Sequence, residues 1–315
     1  MESLFCTERL SSRRVDCDLA VPQLHTRVQV QPAVDPVLAA DVRVMGNMLE
    51  DEASSMALLH DYCSSGRQTE LKPHMRKIVT DWMLEVCEDQ EAGPEVFLLA
   101  VHYLDTFLST TSIRKNQFQL VAATCLLLAS KFSAVVPLSA VQLVLYTDHS
   151  ITVEELLHWE MEVLNSLQWQ LSSPTTHSFL EQLVARLPSI TSLPATHLTR
   201  LRRHANTLAA LAATEYGLLL APRSVLAGAA LTAAHAGLGL HDTDLLAGDV
   251  AKVLRCPMEQ VVRSTAALEA VLRPESRPAQ GKECPPLPTF TSISPVGQGG
   301  TTPTNTFDVL SALAA

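Results

Sequence analysis

Glycine and charged side chains are scarce in this sequence of 315 residues. There are 12 glycines, and charged residues make up 18% of the chain against 47% for hydrophobic residues. Leucine and alanine, which are abundant here, favour helix, so the composition predicts an all-α protein. The length is sufficient for two domains of ordinary size with substantial cores.

Positive charge is also in deficit, because 23 Lys and Arg face 33 Asp and Glu, which gives a formal net charge of −10. This balance argues against a protein that wraps nucleic acid through a broad basic face. The seven cysteines stand singly without a CxxC pair, so neither a disulfide framework nor a zinc site is indicated. The first residues lack the basic start and apolar stretch of a signal peptide, and we expect a nuclear and cytoplasmic protein.

Sequence motifs for catalysis are missing. The chain has no GxGxxG after a strand, no GxxxxGK followed by Ser or Thr, no GxSxG and no HExxH. Glu155 and His158 have the spacing of a metal-ligand pair, but a metal-dependent helical-bundle enzyme needs a second such pair and two further glutamates. We interpret the pair as an exposed helix face and expect no catalytic residue, metal or cofactor. Elemental analysis of the purified protein for iron or manganese distinguishes the metal-dependent enzyme from a protein without a metal.

One apolar stretch, QLVAATCLLLASKF at 119–132, predicts a buried helix. Residues 120–129 are uncharged and apolar on every side, which is typical of a helix surrounded by other helices. The run is too short to cross a bilayer, which needs about 20 residues. Lys131 near its end has two open interpretations: a cation against the C-terminal end of the helix dipole with its head in water, or a contact site.

A second such stretch, SVLAGAALTAAHAG at 224–237, begins roughly 105 residues after the first. The capping box of Thr152 and Glu155 and the helix that opens at Pro257 are separated by a similar distance. The repetition predicts two five-helix units, each wrapped about one buried helix. A membrane span over 224–240 is disfavoured, because it would contain His235 and three glycines.

The domain organisation predicted from these patterns has four parts. Residues 1–33 are a flexible N-terminus, 34–172 a first helical domain with preceding helices, 173–273 a second, and 274–315 a disordered Pro/Ser/Thr-rich regulatory tail. Within the two domains, helical spacing and breaker residues predict the following approximate ranges: 34–63 (one or two helices), 73–88, 94–109, 116–132, 137–146, 152–167, 174–187, 197–216, 222–235, 242–254 and 257–272.

Several of these segments resemble the D-type cyclins. MRKIVTDWMLEVCEDQ at 75–90, then 96–109, 119–132 and 145–171 resemble the cyclin box of that class in order and spacing, and 202–240 resembles its second cyclin box. The resemblance covers roughly 38–272. It implies two tandem five-helix cyclin-box domains and a non-catalytic regulatory subunit that activates a cyclin-dependent kinase of the D-cyclin-binding class, promoting G1/S progression. The alternative is a cyclin-box adaptor in transcription regulation.

The resemblance also implies two surfaces. In cyclins, a lysine matching Lys131 and a glutamate matching Glu160 engage the mobile activation helix of the kinase. Ser133 and Ala134 stand where many cyclins have acidic residues. Three apolar neighbours are expected in that kinase-binding interface: Phe132, Leu164 and Trp169. The helix over 73–88 matches a hydrophobic patch that docks RxL-type segments of substrates and inhibitor proteins. Its expected members, with Glu85 for the arginine and Gln119 for the peptide backbone, are Met75, Ile78, Val79, Trp82, Glu85 and Gln119.

Two terminal motifs complete the prediction. Leu4, Cys6 and Glu8 form LxCxE, and in an extended peptide these three side chains point the same way, into one groove. The family uses this motif to hold retinoblastoma-type pocket proteins. Thr302, followed by Pro303, resembles the family's C-terminal phosphorylation signal for nuclear export and turnover, although Asn305 stands where the vertebrate pattern has an acid.

Overall fold

The computed structural model describes residues 37, 41–240 and 242–272. The LxCxE motif and Thr302 lie outside these residues. Every regular element in the described ranges is a helix and none is a strand, which confirms the all-α prediction.

Helix α1, Val42–Met56, comes first in the chain and is followed by a first set of five helices around one core. These are α2 (Pro73–Asp89), α3 (Pro94–Thr110), α4 (Phe118–Ser133), α5 (Ala140–Tyr146) and α6 (Val153–Ser166). Proline occupies the first turn of α2 and α3, where its missing N–H is harmless. The predicted capping box at Thr152 and Glu155 opens α6.

The second set repeats the arrangement. It comprises α7 (Thr176–Arg186), the single turn α8 (Pro188–Thr191), α9 (Ala195–Thr214), α10 (Arg223–Gly237), α11 (Thr243–Leu254) and α12 (Met258–Leu272). The five predicted helices are present, and α8 is an addition. The predicted start of α5 at Pro137 is wrong: the helix begins at Ala140 because the Ser139 hydroxyl caps the amide of Gln142.

The two predicted buried helices are α4 and α10. In α4 the side chains from Leu120 to Ser130 are buried, and α3, α6 and α2 pack around it. In α10 those from Ser224 to His235 are buried against α9, α12, α7 and α11. Gly228 permits the approach of α11, since a Cβ there would lie 2.6 Å from Val250 Cγ1. Each set is therefore built around one helix without a solvent face.

Helix α1 precedes the first set in sequence but is attached to the second. Met45 belongs to the second core. The buried carboxylate of Glu52 accepts hydrogen bonds from the backbone N–H and the hydroxyl of Ser224, at 2.7 and 2.6 Å. Ser224 lies in the first turn of α10, where the helix dipole favours a negative charge. Helix α1 is thus fastened to the second set, although it precedes the first set in the chain.

A buried ion pair joins the two sets. The Arg76 guanidinium, 2% exposed, donates to both carboxylate oxygens of Asp105 at 2.8 and 2.7 Å. Its remaining donors reach the carbonyls of Thr214 and Ala213, at 3.0 and 2.9 Å, at the end of α9. Tyr62 also donates to Asp105, at 3.0 Å. Burial alone lowers the pKa of Arg76, but the attraction of Asp105 raises it overall.

A second arginine, Arg223, lies half-buried at the same boundary. It donates to the hydroxyls of Ser55 and Ser173 and to the carbonyl of Pro174. Its Nη2 lies 2.7 Å from Nδ1 of His102. Since the guanidinium can only donate, this ring nitrogen is the acceptor and carries no proton. Burial, followed by the charge of Arg223, lowers the pKa of His102 well below its usual range.

We predict that Asp105→Asn costs about 3 to 5 kcal/mol of unfolding free energy, because it leaves the Arg76 charge buried without its counterion. Equilibrium urea unfolding of the full chain measures this. The matched control is Asp249→Asn, which breaks an ion pair with the exposed Lys252 and should cost less than about 1 kcal/mol. Equal losses in the two variants would contradict a buried link between the sets.

Candidate docking surfaces

Lys131 and Glu160 meet where α4 and α6 reach the surface. The Lys131 ammonium lies 2.8 and 3.0 Å from the two carboxylate oxygens of Glu160. The two side chains are 45% and 15% exposed. The sequence left open whether Lys131 faces only water at the end of its helix, and the structure shows it paired across two helices. The buried body of α4 fixes where this pair stands.

The apolar residues expected beside the pair divide into two groups. Phe132 and Trp169 are exposed, so both are available to a partner. Leu164 is 6% exposed and belongs to the first core, since α6 turns it inward together with Val163. The expectation that Leu164 forms part of a contact surface is therefore wrong.

Two residues on α6 extend this surface and were missed by the sequence reasoning. Leu157 and Met161 lie one turn apart and are exposed, on either side of Glu160 in sequence. Their spacing of four was visible in the sequence, but spacing alone does not show which side of a helix its neighbours cover. Together with Phe132, they give the Lys131–Glu160 pair an apolar border. We call these five residues the α4/α6 face: Lys131, Phe132, Leu157, Glu160 and Met161.

The expected hydrophobic patch lies on α2. Ile78 is 41% exposed, and Met75 and Trp82 are half-buried. The Trp82 indole donates to the carbonyl of Tyr146 at 3.3 Å, which holds the ring against α5. Val79 is buried in the first core, so it contributes the floor of the patch rather than a free side chain. We call Met75, Ile78 and Trp82 the α2 patch.

The two polar residues expected at the α2 patch have unsatisfied groups. Gln119 Nε2 is buried and has no hydrogen-bond partner in the described chain, while its Oε1 accepts only a long bond, 3.5 Å, from Ser150. Glu85 is exposed and takes part in no ion pair within the described ranges. Burial, then the charges of Asp81 and Glu88, raise the pKa of Glu85. The amide nitrogen of Gln119 thus lacks a hydrogen-bond partner, and the exposed carboxylate of Glu85 lacks a counterion, within the described ranges.

Other candidate sites carry no chemistry. Glu155 and His158 are both exposed, and the carboxylate of Glu155 caps α6. Among the described residues, no three His, Cys, Asp or Glu side chains are grouped to hold a metal. No helix in the described ranges has the length and apolarity to cross a membrane. The cavity between the two helix sets, about 60 Å³, has room for only a few waters beside Arg76 and Arg223.

Comparison with known proteins agrees with this architecture. The family model for the cyclin N-terminal domain matches residues 43–172, and that for the cyclin C-terminal domain matches 174–280. A viral cyclin from herpesvirus saimiri superimposes with a TM-score of 0.60 at 22% identity, covering 71% of this chain and 97% of that one. At this identity the likeness shows a shared fold.

Two relatives extend the match to the sequence. G1/S-specific cyclin-D2 of Gallus gallus is 38% identical over 283 residues, 87% of this chain and 94% of that protein. G1/S-specific cyclin-D1 of Danio rerio is 42% identical over 219 residues, 68% of this chain and 74% of that protein. With two tandem cyclin domains and this identity over most of both chains, the protein belongs to the cyclin family as a D-type cyclin.

Proposed function

We propose that this cyclin is the non-catalytic, activating subunit of a cyclin-dependent kinase of the D-cyclin-binding class, and that it acts at G1/S in the nucleus and cytoplasm. The observation that carries the proposal is the Lys131–Glu160 pair, partly exposed and held by two packed helices. D-type cyclins use a lysine and a glutamate at these positions to engage the activation helix of the kinase. The α4/α6 face supplies the apolar border that such an interface needs.

The chemistry of the pair suits this task. A lysine ammonium has three N–H donors, and two oxygens of Glu160 engage two of them. The third remains for a carbonyl of the partner, and the exposed part of the pair keeps it accessible. Because Glu160 already compensates the charge, the partner need not supply a carboxylate. The pair therefore fits a backbone segment of the kinase.

Activation follows from the rigidity of this face. A protein kinase is active when its mobile helix is swung inward and the Lys–Glu pair of the kinase is formed. A cyclin surface that binds only that conformation shifts the kinase population towards it. Helix α4 is buried along its length, so the α4/α6 face does not have to be assembled on binding.

We predict that Lys131→Glu abolishes kinase activation while the fold is retained. The substitution opposes two carboxylates and removes the free donor, whereas an exposed pair contributes only about 0 to 1 kcal/mol to stability. Phosphate transfer to a pocket-protein fragment and the thermal unfolding midpoint measure the two effects.

Two further variants sharpen this test. Lys252→Glu makes the same charge change at an exposed position of α11 and should leave activation intact. The double variant Lys131→Glu, Glu160→Lys restores the internal pair with reversed polarity. This double variant should stay inactive, because the kinase interface needs the cation on α4 and the carboxylate on α6. Full activity in the double variant would show that the pair is only structural.

The α2 patch is proposed to dock RxL-type segments of substrates and kinase-inhibitor proteins. Its support is the exposed Ile78 side chain beside two half-buried apolar residues of the same helix, which also carries Glu85, a carboxylate without an ion pair in the described ranges. The apolar floor suits the leucine of such a segment. Glu85 suits the arginine, and the amide of Gln119 suits a backbone carbonyl.

We predict that Ile78→Ala weakens binding of a labelled RxL peptide about tenfold, because the leucine loses part of its apolar contact. Fluorescence anisotropy on the full chain measures this. Val262→Ala on α12 is the matched control, since that side chain is 47% exposed and Ile78 is 41% exposed. An unchanged affinity in the Ile78 variant, or an equal loss in both, would count against the patch.

The N-terminal LxCxE sequence is proposed to hold retinoblastoma-type pocket proteins and so direct the kinase to them. Its support is the spacing of Leu4, Cys6 and Glu8 in a D-type cyclin. Thr302, before Pro303, is proposed as a phosphorylation site that controls export and turnover.

We predict that Cys6→Gly reduces retention of the full chain on a pocket-protein column without changing kinase binding, because one of the two apolar side chains of the motif is lost. Cys17→Gly, outside the motif, is the control. Retention equal to that of the wild type would exclude this motif as the anchor.

A further inference from the structure

Helix α9 is a cationic element in an acidic protein. The chain has a formal charge of −10, yet α9 carries Arg200, Arg202 and Arg203 and no Asp or Glu. The buried stripe of the helix, which includes Leu201, Ala205 and Leu208, faces the second core. The cations are thus confined to the other sides of the helix.

Their surroundings differ. Arg202 pairs with Glu181 on α7, at 3.3 Å. Arg200 and Arg203 are exposed and form no ion pair within the described ranges. His197, Arg200 and His204 follow at i, i+3 and i+7, which places them on one side of the helix, and Arg203 stands beside His204. We call these four residues the α9 face: His197, Arg200, Arg203 and His204.

The charges that act on His204 within the α9 face are those of cations. Burial, then the charges of Arg200 and Arg203, lower the pKa of His204, and no carboxylate is among the causes. His204 Nδ1 is buried and has no hydrogen-bond partner in the described chain. Two arginines with free guanidinium groups and an adjacent imidazole are the donors that a phosphate group requires.

We propose that the α9 face binds the C-terminal segment of this same chain when Thr302 is phosphorylated. This proposal rests on the proposed phosphorylation of Thr302 and not on kinase activation. Each arginine can offer parallel N–H donors to phosphate oxygens, and the exposed ring of His197 can donate one more.

Charge complementarity selects the phosphorylated form. The sequence from 284 to 307 contains no Asp, Glu, Lys, Arg or His, so the unmodified segment offers the α9 face no anion. Phosphorylation adds a charge of about −1.5 to −2 and three acceptor oxygens. The modification therefore changes the segment from one without attraction for the face to one with strong attraction.

The length of the chain permits the contact. Helix α12 ends at Leu272, and Thr302 follows 30 residues later. Thirty residues can span at most about 100 Å when fully extended. A unit of about 100 residues has a radius of gyration of about 13 Å, and α9 and α12 both pack on α10 within one such unit. The phosphate can reach the face within the same molecule, at an effective concentration in the millimolar range.

A trans-binding experiment tests the face. The probe is a fluorescein-labelled peptide of residues 296–308 phosphorylated at Thr302, added to the full chain carrying Ser294→Ala and Thr302→Ala. The phosphopeptide should bind, the unphosphorylated peptide should bind about tenfold more weakly or worse, and added salt should weaken the complex.

Variants locate the site. Arg200→Glu with Arg203→Glu should abolish binding, while the control Lys252→Glu with Arg263→Glu, of equal charge change on α11 and α12, should not alter it. Absence of phosphate dependence, or an equal loss in the control, overturns the proposal. Because the peptide is synthetic, this result does not depend on kinase activation.

A second comparison tests whether the α9 face is covered by the C-terminal segment of the same chain. The full chain phosphorylated at Thr302 should bind the phosphopeptide much more weakly than the unphosphorylatable chain, since its own segment already covers the face. If both chains bind the peptide equally, the face serves a phosphorylated segment of another protein and the proposal is overturned.

Discussion

The guanidinium of Arg76 is the constraint on which the two-box structure depends. It ties α2 to α3 through Asp105 and to the last carbonyls of α9 through Ala213 and Thr214, with 2% of its side chain exposed. Removing a partner would leave a buried charge without compensation, which lowers the free energy of unfolding. The two helix sets are therefore held in one relative position. The guanidinium also orients α2: with Arg76 turned into the boundary, Met75 and Ile78 are turned towards solvent. The same residue thus links the two helix sets and leaves the α2 patch facing solvent.

Burial has a corresponding role at the α4/α6 face. Leu120 to Ser130 leave α4 without a solvent side, so the helix has one position in the core, and Lys131 emerges at its end beside Glu160. A surface fixed in this way discriminates between conformations of a partner, because it does not adapt to the wrong one. Helix α1 is also hydrogen-bonded to α10 of the second helix set, through Glu52 and Ser224.

The sequence predicted what local patterns encode. An apolar surface on every side identified α4 and α10, and a serine or threonine with its partner three residues later identified the start of α6. What it missed depends on distant partners. Arg76 stands beside other charged residues in the sequence, so nothing local marks it as buried. Its acceptors on α9 are 137 and 138 residues away. Leu164 and Val79 were assigned to surfaces, because spacing alone does not tell which part of an apolar stripe the neighbouring helices cover. Leu157 and Met161 were missed for the same reason.

The proposed function assigns two separate faces of this D-type cyclin to two kinds of partner, the α4/α6 face to a kinase and the α2 patch to docking segments. The most direct measurement is the rate of phosphate transfer to a pocket-protein fragment by a purified cyclin-dependent kinase of the D-cyclin-binding class, as wild-type chain is titrated in. If the chain is the activating subunit, the chain alone transfers no phosphate, and the rate rises with added chain and saturates at one chain per kinase. A rate that stays unchanged across the titration, with the chain folded, would contradict this role.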